Sequence, residues 1–413
     1  MALHTREYWR NPYPVLKVLR DHYPIYHDPI RNVWYITRYD DVVEAFKDNE
    51  HFSNRIFKTF MGVVFGPTIM ELDGEEHSRR RNIVAPEFAG KKLEAMLPII
   101  ERNTAALIAK FTEKNARKLA EGFADRGEVD LIDEFSTRLP VNVILDVLGL
   151  PQSDHDLFHE WYPAMMDGLT GNAQQREYGI YCNQQFHAYI DGLVDERSVN
   201  PGDDLISKLC VAEVDGHRMS KEDIKAFSSL LLVAGGETTD KAIANTWYHL
   251  LTNLEQFHEV ERDPELFDRA FTEMMRITPP AGGQPRECVK DYAKHGTTIP
   301  AGAEVQLSIF GANHDERVFK DPDRFDIFRD DLYFGKELRA GYHEGGKASH
   351  LGFGLGKHFC VGYQLARAET VIGSKMLLQA MKNPRIKPGS NPQVQVAGPM
   401  NENPKLEIVF DPA

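Results

Sequence analysis

The chain has 413 residues, 42% of them hydrophobic and 27% charged, the composition of a globular protein with a substantial core. Its net charge of −14 argues against nucleic acid or an anionic membrane as a partner. The four cysteines, Cys182, Cys210, Cys288 and Cys360, show neither paired nor zinc-ligand spacing, as expected of free thiols in a reducing compartment. The N-terminal stretch MALHTREYWRNPYP lacks the apolar core of a signal peptide, and no window approaches the ~20 apolar residues of a membrane span. A cytoplasmic location is therefore expected.

In chain order, Asn11 to His22 reads as a short amphipathic helix entered through Pro12 and Pro14. The β-formers Trp34, Tyr35 and Ile36, flanked by turn residues, predict a hairpin within Pro24 to Asp40. Asp40 and Asp41 are then placed to cap a helix with Val42, Val43 and Phe46 on one face. Between Asn54 and Leu72, Phe57, Phe60, Met61, Val63, Val64, Phe65 and Ile69 crowd around the breakers Gly62, Gly66 and Pro67. Neither a strand nor a helix period holds there, and core packing or a ligand-facing loop would both account for the residues. His77 and Arg81, four apart, share a helix face, while Arg79 and Arg80 point elsewhere, toward the surface.

Lys91 to Ala120 predicts a long helix interrupted by Pro98, and Val129 to Leu150 two helical stretches separated near Pro140. Residues 151–200 read as polar helices with a break around Gly168 to Gln174, just after Met165 and Met166. From Ser220, helical patterning runs to about Asn253, opened by a near-capping box of Ser220 and Asp223. Roughly 30 residues give a helix on the order of 45 Å, enough to cross a large domain. Its middle, Ala234-Gly-Gly-Glu-Thr-Thr239, breaks helix rules, because two glycines cost about 1 kcal/mol each against alanine and two β-branched hydroxyls follow. Such a break marks a functional site, or a kink whose threonine bonds back to an upstream carbonyl.

Glu273 and Arg276, three apart on the next helical stretch, can pair. Ile299 to Gly302 reads as a turn before a β-like run from Val305 to Ile309, and the last 30 residues show only the short β-like pieces VQV and KLEIVF. No repeat, low-complexity segment or linker interrupts the chain.

One stretch outweighs the rest, His350 to Gly362, HLGFGLGKHFCVG. Gly352, Gly354 and Gly356 allow tight turns and close approach to a flat ligand. From Val361 the apolar residues Leu365, Ala366, Ala368 and Ile372 fall at helical spacing, so Cys360 stands at or just before a helix N-terminus. The positive end of that helix favours a thiolate, which suits ligation of a soft metal centre.

Phe353, Gly356, Cys360 and Gly362, with Gly354 and His358 also fitting, resemble the haem-binding signature of the cytochrome P-450 family, the haem-thiolate monooxygenases. The resemblance covers essentially the whole chain. It implies a single domain over residues 1–413, mainly α with small β-sheets, with haem b (iron protoporphyrin IX) between the long central helix and the helix after Cys360. It implies that Cys360 ligates the iron, that Phe353, Gly354 and Gly235 lie against the cofactor, and that His77, Arg81, Arg286 and His358 hold its propionates. Planar guanidinium groups suit carboxylates.

The AGGETT stretch resembles the family's oxygen-activation motif. There Thr238 would hydrogen-bond O2 or a water beside it, and Glu237 would pass protons in from solvent. By the same resemblance Phe57, Phe60, Met61 and Phe65 belong to a substrate-contacting loop, Met165 lies by a mobile lid, and Ala234 and Gln284 complete the pocket. Gly398-Pro399-Met400 forms a turn reaching it. Glu273–Arg276 is a structural pair that joins a further residue near the cysteine loop, and Asn313, Asp315, Phe319, Asp321, Pro322, Phe325 and Arg329 match the family's approach to that loop.

The expected reaction inserts one oxygen atom of O2 into a small apolar organic substrate, aromatic ones included, by hydroxylation or O-demethylation. With no reductase domain in the sequence, the electrons would come from a ferredoxin or flavodoxin with its reductase, docking where Lys357, Arg79 and Arg80 form a basic patch. Alternatives on the same fold are a peroxygenase using H2O2 and a non-enzymatic haem sensor or carrier. The Glu237–Thr238 pair would have no task in either.

Overall fold

A computed structural model describes residues 3–121, 124–397 and 400–411. They divide into two compact bodies, one of residues 1–53, 104–138 and 238–413, the other of residues 54–103 and 139–237. No helix among the described residues is long and apolar enough to cross a membrane.

The chain opens with helices α1 (Arg6–Arg10) and α2 (Tyr13–His22), then the antiparallel strands β1 (Ile25–Asp28) and β2 (Val33–Ile36), which form the hairpin expected from the sequence. Helix α3 (Tyr39–Lys47) follows, then the short strand β3 (Phe52–Ser53). Asp40 and Asp41 do not cap α3. They sit in its first turn, and the Tyr39 N–H is instead taken by the Asp315 carboxylate at 3.0 Å. A donor near a helix start is as well satisfied by a distant carboxylate as by a local one.

The ambiguous aromatic stretch resolves into a 3₁₀ turn (Arg55–Thr59) and α4 (Met61–Phe65). Helices α5 (Gly74–Val84), α6 (Gly90–Glu94) and α7 (Leu97–Ala120) follow, so Pro98 marks the start of a helix rather than a break inside one. Residues 127–136 depart from expectation. The first of the two helices expected there is strand β4 (Gly127–Asp130) plus a π-turn (Ile132–Ser136), because β4 is drawn into a sheet by the C-terminal strand; only α8 (Arg138–Leu148) is helical as expected.

Helices α9 (His155–Thr170) and α10 (Ala173–Val199) meet at a break where Asn172 and Gln175 form a reciprocal capping box. After α11 (Leu205–Val211) comes α12 (Lys221–Thr252), whose start is fixed by a complete box. Ser220 Oγ accepts from Asp223 N at 3.1 Å, and Asp223 Oδ2 accepts from Ser220 N at 3.0 Å. Helices α13 (Leu254–Arg262) and α14 (Phe267–Ile277) precede β5 (Gly283–Cys288), the hairpin β6 (Tyr292–Lys294) and β7 (Thr297–Ile299), and β8 (Glu304–Ser308).

The short α15 (Ile309–Asn313) and a long irregular stretch lead to α16 (Tyr363–Ala380). Strands β9 (Lys382–Ile386), β10 (Gln395–Ala397), β11 (Met400–Glu402) and β12 (Glu407–Asp411) close the chain. Strand β9 has no counterpart in the sequence reading. Gly398 and Pro399 of the expected turn lie outside the described residues, whereas Met400 opens β11.

All the sheets belong to the first body. The largest has the order β1-β2-β8-β5-β3 and is antiparallel except for β2 with β8. Its buried face, with Ile36, Val305 and Leu307, shares a core with Phe46, Phe319, Leu351 and Leu355, so the sheet supports the segment that leads into the cysteine loop. The fold is mainly α with small sheets, as expected.

Candidate functional site

The cysteine loop is built by backbone bonds and by glycines in left-handed conformations. Cys360 N–H donates to the Phe353 carbonyl at 3.0 Å and Gly354 N–H to the Leu351 carbonyl at 2.8 Å. Gly354 and Gly356 adopt φ of +67° and +70°, the left-handed region that glycine alone enters without strain. A Cβ on Gly356 would stand 2.6 Å from the Phe46 carbonyl oxygen. The loop folds around an aromatic cluster in which Phe353, Phe359 and Tyr363 meet edge to face. Cys360 is half-buried, three residues before α16, whose 18 residues present their positive end toward it.

Behind the loop lies a buried ionic cluster. Arg276 uses all five guanidinium donors. Nε and Nη2 bind the two Glu273 oxygens at 2.8 and 2.7 Å, and the rest reach the carbonyls of Asn313, Pro322 and Arg324. Arg329 is the further residue expected near this pair, since its Nη1 donates to Glu273 Oε1 at 3.1 Å. Asn313 links the cluster to the loop, its amide donating to the Met275 carbonyl while its oxygen accepts from Leu351 N–H at 2.9 Å.

The residues singled out as carboxylate clamps are divided between the bodies. In the first, Arg286 is buried on β5, its guanidinium 5.5 Å from the Phe46 ring centre; Gln284, two residues earlier, shares its strand face. His358 is half-buried in the 3₁₀ turn before Cys360. In the second body, His77 is buried and Arg81 half-buried, both on α5 at the expected spacing. Phe46, read from sequence only as part of an apolar face, thus supports both Arg286 and Gly356.

Helix α12 carries its own signal. Ser228 to Val233 and Ala242 to Trp247 are buried, yet Ala234 between them is exposed, and Gly235, Glu237 and Thr238 are half-buried. A helix enclosed at both ends and accessible in the middle is shaped to meet a ligand there. The glycine pair serves local packing as well. A Cβ on Gly235 would lie 3.2 Å from Ile144, and one on Gly236 3.0 Å from the Tyr162 ring and 3.1 Å from Val141. Tyr162, which the sequence reading missed, donates its hydroxyl to Glu237 Oε2 at 2.9 Å.

The aromatic candidates separate by exposure. Phe65 and Met165 are fully buried and Phe57 nearly so, which makes them core residues in this conformation; Phe60 and Met61 keep accessible surface. Arg80 is bound by Asp223 at 2.5 Å and Glu76 at 3.0 Å, which offset its charge, while Arg79 meets the His217 ring at 3.1 Å, a contact that leaves its charge in place. Lys336, Arg339 and Lys357 are exposed, with Arg339 5.1 Å from the Phe359 ring centre beside Cys360.

The donor set of the first body fits an iron porphyrin. It offers one soft sulfur ligand in a glycine cradle and, in Arg286, a buried guanidinium suited to a carboxylate. The sequence pattern of the family described as Cytochrome P450 matches residues 2–148 and 161–393. This chain belongs to the cytochrome P450 family. It is 34% identical to pulcherriminic acid synthase of Bacillus subtilis (strain 168), over 92% of this chain and 90% of that one. To vitamin D(3) 25-hydroxylase of Pseudonocardia autotrophica it is 33% identical, over 89% and 85%. The crystal structure of CYP109E1 from Bacillus megaterium in complex with testosterone superposes with a TM-score of 0.83 at 27% identity, over 98% of this chain and 100% of that one. The protein is thus an oxidoreductase of the P450 monooxygenase family, whose members use haem iron, O2, small-molecule substrates and redox partners.

Proposed function

We propose that this P450 binds haem b through Cys360 and inserts one oxygen atom of O2 into an apolar small molecule of steroid-like size. The single observation that carries the reading is Cys360, held by Phe353 and the left-handed Gly354 and Gly356 at the start of α16. Non-covalent haem b is favoured over an attached haem because the sequence has no Cys-x-x-Cys-His motif. We propose further that both bodies make one haem domain, since α7, α8 and α12 each run from one body into the other and the family pattern spans both. A cytoplasmic location belongs to the same reading.

When bound, haem supplies the reduction of O2 and the cleavage of its O–O bond, favoured by the electron push of a thiolate. The protein supplies the rest. Cys360 would give the thiolate, while His77, Arg81, Arg286 and His358 would hold the propionates. Thr238 would donate a hydrogen bond beside the reacting oxygen, and Glu237 would carry protons to it. That acid–alcohol pair supports O2 rather than peroxide as the oxidant. Phe60, Met61, Ala234 and Gln284 would line the substrate side, with Phe57, Phe65 and Met165 behind them.

The steroid-sized class is supported by the vitamin D(3) 25-hydroxylase and the testosterone-bound relative. Electrons would arrive from a ferredoxin or flavodoxin docked on Lys336, Arg339 and Lys357. Titrating testosterone, vitamin D3, fatty acids, terpenes and aromatic ethers while following the haem spectrum tests the class. A change in the haem spectrum with the sterols at the lowest concentrations is expected; a response to fatty acids alone would overturn it.

A further inference from the structure

We propose that Tyr162 is a positioning residue for Glu237, fixing the carboxylate that delivers protons. The inference rests on the proton-carrying reading of Glu237 above. It goes beyond that reading by assigning the group that orients the acid.

The geometry is specific. Tyr162 is 5% exposed, and its hydroxyl lies 2.9 Å from Glu237 Oε2. A phenol is neutral near pH 7, so it donates to the carboxylate, and a donated bond to an ionised oxygen is among the stronger hydrogen bonds. The ring is fixed as well as the hydroxyl, because it lies over Gly236, where a Cβ would approach to 3.0 Å of Cε2 and 3.2 Å of Cζ. Gly236 therefore makes room for Tyr162, which explains why the residue before the acid lacks a side chain although glycine weakens a helix interior.

The helix that carries Tyr162 is anchored in turn. Helices α9 and α10 cross at backbone contact, since a Cβ on Gly168 would lie 3.1 Å from Gly179 Cα and one on Gly179 2.6 Å from the Ala164 carbonyl oxygen. Tyr162 thus reaches Glu237 from a tightly packed helix pair. A flexible glutamate on an accessible helix turn can occupy several rotamers. One anchored bond reduces these to the few that keep Oε2 on the phenol.

Tyr162→Phe keeps the ring and removes only the donor. In the ferric holoenzyme without added substrate, the carboxylate infrared band of Glu237 is identified as the band lost in Glu237→Gln. It is expected to shift in Tyr162→Phe, and the crystal structure of that variant to show Glu237 in a different rotamer. The pH profile of hydrogen peroxide release during O2-dependent reductant consumption needs no organic substrate and reads proton delivery. Tyr162→Phe should move it in the direction of Glu237→Gln, with a change of roughly threefold or more in peroxide release, as expected for loss of one charge-assisted bond.

The double variant should be no more altered than Glu237→Gln alone, because the two residues act as one unit. If Tyr162→Phe overlays the wild type in band, rotamer and profile while Glu237→Gln departs from it, the positioning role is overturned and the reading of Glu237 stands. If Glu237→Gln also overlays the wild type, both fall.

Discussion

Two regions of the molecule, one around Cys360 and one around Glu237, are built on opposite plans. Around Cys360 the protein over-determines the geometry. Arg276 and Glu273 are both 0% exposed in side chain, every Arg276 donor is used, and Asn313 ties the cluster to the loop through Leu351. Around Glu237 and Thr238 the α12 surface is accessible, and Glu237 is aligned by a tyrosine from α9. On the proposed function, the difference follows from the work each region does. A permanent ligand gains from rigidity, because a displaced sulfur loses its metal. A residue that takes and gives protons must keep contact with water and retain some freedom. Substitutions in the first region should therefore cost stability and haem retention, and those in the second should change the fate of protons and electrons.

The largest effect is expected from Arg276→Ala. It removes the donor to Glu273 Oε2 and to three backbone carbonyls and leaves the buried carboxylate to Arg329 and the Asp326 N–H alone, which should cost about 3–5 kcal/mol. Chemical denaturation should show an early midpoint, and purified protein should carry little haem. A variant of near-native stability would break the contrast at its strongest point. Gly356→Ala comes next, at roughly 2–3 kcal/mol, since it combines a left-handed backbone with a 2.6 Å approach to the Phe46 carbonyl oxygen. Faster haem transfer to an acceptor protein would measure it.

Acid should reach the rigid region as well. Burial lowers His249 and His350 from their ordinary 6.5 to about 3. His249 stacks on Phe325 and bonds Thr278, while His350 accepts the Gly352 N–H. Their folded-state pKa values are depressed, so the unfolded chain binds protons first. The stability present above pH 6.5 is lost as pH falls through the window from 6.5 to 3, by roughly 1.4 kcal/mol per pH unit for each histidine. Urea midpoints at pH 8, 6 and 4.5 check this, and His249→Gln should flatten the slope. The smallest effect on stability is expected in α12. Thr238→Ala should change it by less than about 1 kcal/mol while lowering product formed per electron pair roughly fivefold. Unchanged product yield would remove Thr238 from the proton path.

The features legible in the sequence are those written in local spacing. The glycines before Cys360, the Ser220–Asp223 box, the helical pairing of His77 with Arg81 and the Glu273–Arg276 pair each lie within a short window, and each formed as expected. What escaped was long-range. The α3 N-terminus is satisfied by Asp315, 276 residues away, so the nearer Asp40 and Asp41 misled. Strand β4 was read as helix because its partner β12 lies at the other end of the chain. Tyr162 sits 75 residues before its acid, within a helix whose pattern marks it only as apolar. The one local hint was Gly236, a missing side chain that required some other group to fill the space.

The central claim is that Cys360 is the thiolate ligand of a haem. The absorption spectrum of the reduced, CO-bound protein tests it most directly. The account predicts the red-shifted Soret band of a thiolate-ligated haem in the wild type and its loss in Cys360→His. A wild-type spectrum without that band, or a Cys360→His variant that retains it, would contradict the account.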